Sequence, residues 1–186
     1  MRYKKRLGWL GVFVAVFGMS VSSGAPAENL APVKQNLEVF EAVLSTILQQ
    51  SFSEPFAVLE KPKGAYLSGF GAVFSFEVDL AADSRPNLFN QTRSSPEEVR
   101  KAYNEKLPHL REAMLRALTE HADSLTALRP DEQVAIIAHL FDSGFSASSP
   151  PYRTVIVRTA RKNLLEYKAG RVSLEELKKR IDVVQY

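Results

Sequence analysis

The stretch GAYLSGFGAVFSFEVDL, residues 64–80, places three glycines among aromatic residues, and its reading decides the fold. A phosphate-binding loop would break any strand periodicity and lead into a helix, whereas a bent strand would pair back on its neighbour. Tyr66, Phe70, Ala72, Phe74, Phe76, Val78 and Leu80 share one face, and Leu67, Gly69, Gly71, Val73, Ser75, Glu77 and Asp79 take the other. That period of two belongs to a half-buried strand. Gly64 and Gly69 have the glycine spacing of a Walker A loop, but Phe70 and Gly71 stand where Lys and Ser/Thr must meet phosphate and Mg²⁺. Gly69-Phe70-Gly71 begins like a dinucleotide fingerprint, yet Phe74 occupies the third glycine position. The glycines therefore read as a bend or bulge where another backbone or ring lies close.

Upstream, Phe56 to Glu60 reads as a strand, and Lys61-Pro62-Lys63-Gly64 supplies proline at i+1 and glycine at i+3 of a type I turn, which predicts a hairpin there. Further back, Leu30, Val33, Leu37, Phe40, Leu44 and Ile47 alternate in steps of three and four, a helical stripe over 31–51. Downstream, residues 81–95 form a turn-rich loop that ends in Ser95-Pro96-Glu97-Glu98, a capping box with proline at N1. The helix that follows carries Val99, Tyr103, Leu107, Leu110, Met114, Leu118 and Leu125, and Pro108 should kink or split it.

Arg129 to Glu132 closes that helical region, and the run Val134 to Asp142, apolar on both faces, reads as a central strand covered on both sides. A Ser/Pro-rich connector over 143–151 leads to a strand over 154–159, antiparallel to the previous one. Helices over 160–169 and from Ser173 onward finish the chain, the second with a Ser173/Glu176 capping box and a Val172/Leu177 staple. Strands joined by hairpins and helices in blocks predict an α+β fold: an antiparallel sheet of about four to five strands with helices packed mainly on one face.

The N-terminus, MRYKKRLGWLGVFVAVFGMSVSSGAPAEN, has the order of a secretory signal peptide: basic to Arg6, apolar from Leu7 to Val21, then small residues ending in Ala25-Pro26-Ala27. The apolar run of 15 residues is short for a bilayer span, and Gly8, Gly11 and Gly18 weaken it as a retained anchor. Cleavage after Ala27 would leave residues 28–186 as a single domain, periplasmic or secreted. The absence of cysteine excludes disulfides, cysteine-ligated metal and lipoprotein acylation. The leader holds four of the 24 basic residues and no acidic one, so the exported chain has 20 basic against 21 acidic residues, a net −1. The basic pI belongs to the export signal and does not indicate a nucleic-acid partner. No stable membrane insertion is expected once the leader is removed.

Candidate chemistry is sparse. His109 follows Pro108, and His121 lies beside Glu120 and Asp123 without the i, i+4 geometry of a helical metal site, so both read as boundary residues. His139, between Ile137 and Phe141 on one strand face, is the weak catalytic candidate, a general base for a periplasmic hydrolase with Glu77 or Asp142 as helper. Ser143 lacks the G-x-S-x-G elbow of a nucleophile. Arg158, Arg161 and Lys162 form the densest basic cluster, within pairing reach of Glu166, Glu97 or Glu98. Neither cofactor nor metal ligand set is indicated. The pattern points to a non-catalytic module that binds a protein or peptide partner through a sheet edge or through the aromatic face around Tyr66, Phe70 and Phe74. Two alternatives are the hydrolase and a homo-oligomeric structural component assembled through the 30–51 helix.

Overall fold

The structure is a computed structural model that describes residues 30–51, 58–82, 95–141 and 153–186. The expected leader and cleavage site, Phe56, residues 83–94 and the segment with Asp142 and Ser143 lie outside the described residues. The element order is α1 (Ala31–Ser51), β1 (Val58–Leu67), β2 (Gly71–Val78), α2 (Pro96–His121), a 3₁₀ turn (Ala122–Ser124), β3 (Gln133–Leu140), β4 (Thr154–Ala160), α3 (Arg161–Lys168), α4 (Leu174–Lys179) and β5 (Asp182–Gln185). One five-stranded sheet has the order β1-β2-β3-β4-β5. Every neighbouring pair is antiparallel except β2 and β3, which run parallel because α2 carries the chain from the end of β2 back to the start of β3. The α+β architecture is the one that the periodicity predicts. Among the described residues no helix is long and apolar enough to cross a membrane.

The hairpin falls one turn later than its sequence signal. β1 runs straight through Lys61-Pro62-Lys63-Gly64, and the reversal is at Leu67–Phe70, closed by Phe70 N–H donating to the Leu67 carbonyl at 2.9 Å with Gly69 at φ +79°. Positive φ at the third residue alone makes this a type II turn, whose Gly requirement Gly69 meets. Proline survives inside β1 because β1 is an edge strand, and its pairing with β2 shifts register between Val58 and Glu60 and again between Glu60 and Lys63. The Gly64 N–H is taken instead by Glu41 Oε1 from α1 at 2.7 Å.

Beyond the turn the alternation holds. Ala72, Phe74, Phe76 and Val78 are buried, and Phe74 meets Phe40 of α1 with ring centroids 4.5 Å apart. Each such phenyl contributes about 1.5–3 kcal/mol by leaving water. Leu37, Phe40, Leu44, Ile47 and Leu48 of α1 are buried in the same core, so the helical stripe is packed against its own sheet and α2, with Leu30 left exposed.

Four further expectations are corrected. α2 is one helix from Pro96 to His121, not split at Pro108. Pro108 and Asn104 are exposed, so the freed Asn104 carbonyl faces water, while Tyr103, Leu107, Leu110 and Met114 bury a continuous stripe on both sides of it. The helix also ends at His121 rather than near Arg129. β3 is central but its faces are covered unequally: Val134, Ile136, Ala138 and Leu140 are buried under the helices, whereas on the other side Ala135 is buried between neighbouring strands, Ile137 half-buried and His139 exposed. Finally β5, a strand of four residues that begins two residues beyond α4, is left out by the sequence reading.

Candidate functional site

The aromatic trio that the sequence singles out does not form one surface. Phe74 is fully buried. Phe70 sits half-buried in the turn, and Tyr66 is half-buried on β1 with its hydroxyl donating to Glu132 Oε1 at 2.7 Å. Glu132, 3% exposed, also accepts the Arg129 N–H on Oε2 at 2.6 Å, with the Arg129 guanidinium 3.4 Å from Oε1. Around it, Gln133 N–H donates to the Phe70 carbonyl at 2.7 Å and Arg161 N–H to the Glu132 carbonyl at 2.8 Å. The carboxylate thus ties β1 to the loop before β3, while the backbone of Glu132 and Gln133 joins that loop to the β1–β2 turn and the end of β4. Sequence reasoning missed it because Glu132 sits in a turn with no periodicity.

His139 is exposed rather than inside a packed strand. In register it lies between Glu77 of β2 and Thr154 of β4, and no hydrogen bond or ion pair joins His139 to Glu77. His109 is exposed on α2, and His121 Nε2 is 3.8 Å from Glu120 Oε2. No group of three or more His, Cys, Asp or Glu side chains able to hold a metal exists among the described residues. The basic cluster diverges: Arg158 pairs with Asp182 at 3.2 Å, buried Arg161 donates Nη1 to the Leu128 carbonyl at 2.8 Å, and Lys162 faces solvent.

The two sheet edges differ. β1 is protected by Pro62, two register shifts and exposed Lys61 and Lys63, the devices that stop a foreign strand from pairing. β5 has none of them: it pairs regularly with β4 over its whole length, and Val183 and Val184 are 43% and 40% exposed. Thr154 and Tyr186 exchange both backbone bonds, at 2.9 and 3.2 Å. Bonded and non-bonded pairs alternate in an antiparallel ladder, so Val184 and Asp182 also face β4, while the N–H and C=O of Val183 and Gln185 point outward. On the face away from the helices, Ser75, Ile137, Ile156 and Val184 form one cross-strand row that ends at this edge.

The chain matches no family model, no curated protein and no solved structure.

Proposed function

We propose that this protein is an exported, non-catalytic module, periplasmic or secreted after loss of residues 1–27, that binds a protein partner by taking an extended segment of it as a sixth strand against β5. The observation that carries the reading is the contrast between the two edges: one is protected, the other presents outward backbone groups and exposed valines. Strand addition draws affinity from main-chain hydrogen bonds and specificity from alternate side chains. Apolar periodicity spent on a single core, with no converging catalytic groups among the described residues, supports a binding role over an enzymatic one.

Site-specific photo-crosslinking in the native cell tests it. A crosslinker at Val184 should capture a discrete partner, one at the equally exposed Val39 of α1 should not, and Val183→Pro should abolish capture while leaving the β4 pairing intact. Capture from Val39 that persists in Val183→Pro would defeat the edge reading. Cell fractionation with N-terminal sequencing checks the export step, with Glu28 expected as the first residue.

A further inference from the structure

We infer that Arg161 marks an anion site, one that holds a small carboxylate side-on against the guanidinium edge formed by Nε and Nη2. Arg161 is the first residue of α3 and is 9% exposed. Charges buried in a fold are paired, because an isolated ion gives up its hydration with nothing in its place. Among the described residues no carboxylate pairs with Arg161. The acids of the surrounding elements are engaged elsewhere. Glu132 holds Tyr66 and Arg129, Asp131 lies 3.8 Å from Arg129, Asp123 lies 3.7 Å from Lys168, and Glu166 lies 2.6 Å from Arg180.

The bonding of the guanidinium leaves one edge open. Nη1 donates to the Leu128 carbonyl at 2.8 Å, Nε is buried without an acceptor, and Nη2 has none either but keeps contact with solvent. Nε and Nη2 together form the side of the fork that a carboxylate meets with two parallel N–H···O bonds. The helix raises the positive potential further. A cation in the first turn sits at the positive end of the dipole, and α3 has neither an acid in that turn nor a side-chain cap, with exposed Lys162 next to Arg161. α2 and α4, by contrast, each carry two glutamates and a serine cap at that place. The first two N–H groups of α3 are already taken by the carbonyls of Glu132 and Pro130, at 2.8 Å each, so the guanidinium and not the backbone holds the anion.

Charge and space select the ligand. One guanidinium compensates one negative charge, whereas a phosphate dianion would bring a second into the same enclosure. Lys162 faces solvent and draws an anion toward the opening without enclosing it. With Arg161 only 9% exposed, the edge at Nη2 admits a small planar group and no polypeptide segment, which makes the ligand a free carboxylate of the size of formate or acetate.

Nuclear magnetic resonance of the purified, isotope-labelled protein tests it. The Arg161 Nε–Hε resonance is followed as sodium acetate replaces sodium chloride at constant ionic strength. It should move downfield and saturate with a dissociation constant on the order of 1 mM. About 20 mM acetate should also raise the urea midpoint by about 1 M over chloride alone. Arg161→Lys keeps the charge but removes the fork, and should lose that gain; Lys162→Gln, at a solvent-facing position, should keep it. A resonance that does not saturate, an equal effect of chloride, or an undiminished gain in Arg161→Lys each overturns the site. Should Arg161→Lys fail to fold, the wild-type titration decides by itself. Tighter binding of inorganic phosphate, or of a blocked Ala-Glu-Ala peptide, than of acetate overturns the assignment to a small free carboxylate.

Discussion

Gly71→Ala, measured beside Gly69→Ala, probes how the opening glycines work. Both residues have positive φ, +130° and +79°. At Gly69 a Cβ would have nothing within 4 Å, so alanine incurs only the backbone penalty, about 1 kcal/mol. At Gly71 the Cβ would stand 2.2 Å from the Gln133 carbonyl oxygen and 2.8 Å from its nitrogen. Neither atom can yield, because Gly71 and Gln133 are the first register pair of the parallel β2–β3 ladder. The start of β2 must move off β3, straining or breaking the 2.7 Å bond from Gln133 N–H to the Phe70 carbonyl. Backbone strain, overpacking and part of a hydrogen bond together give about 4 kcal/mol, a large share of the 5–15 kcal/mol that holds a domain folded. Urea unfolding followed by far-ultraviolet circular dichroism is the suitable assay, since the single tryptophan, Trp9, lies outside the packed elements, in the stretch expected to be a leader. With a slope near 2 kcal/mol per molar, the midpoint should fall by about 2 M for Gly71→Ala and about 0.5 M for Gly69→Ala. Equal shifts would refute the close approach of the two strands.

Two further outcomes follow from polar groups. Tyr66→Phe and Glu132→Ala, made singly and together, should be non-additive by about 1–2 kcal/mol in the same unfolding assay, because the buried carboxylate accepts the Tyr66 hydroxyl; simple additivity would show the contact to be idle. In α4, the Ser173 backbone N–H donating to the Glu176 carboxylate at 2.9 Å, then the Ser173 side chain, hold the Glu176 pKa below the ordinary glutamate range. A depressed folded pKa means that the cap's contribution is present above that range and lost as pH falls through the folded value. The Ser173 amide resonance should therefore titrate at lower pH than a free glutamate and lose this step in Glu176→Gln; titration at or above the ordinary range would contradict the capping geometry.

The parts of the fold legible in the sequence are those where one face is buried along a regular element. α1, β2, α2, β3 and β4 all satisfy this, and their stripes of Leu, Phe and Val are the observed core. The capping boxes at Ser95 and Ser173 were equally readable, because a cap is a local hydrogen-bond arrangement that needs no tertiary partner. His139 was misplaced for a physical reason. An apolar run such as Val134–Leu140 does not say which face is covered; only the placement of α1 and α2 on one side decides that Ile136 is inside and His139 outside.

The hairpin and β5 escape a local reading for one shared reason: both concern sheet edges. Lys61-Pro62-Lys63-Gly64 has the chemistry of a turn, but the same residues serve an edge strand, where a missing N–H costs nothing, a register shift absorbs the proline, and lysines repel another strand. Local sequence cannot separate these uses, because the difference is whether a neighbour lies on one side or both. At the opposite edge the ambiguity runs the other way. Asp182-Val183-Val184-Gln185 is too short for periodicity to register, and only its pairing with β4 makes it a strand. Once it is one, the absence of proline, lysine and register shift along it becomes informative. β1 carries proline, register shifts and lysines, whereas β5 is guarded only by its length of four residues and by Asp182, and under the proposed reading its valines are where a partner strand would meet the sheet.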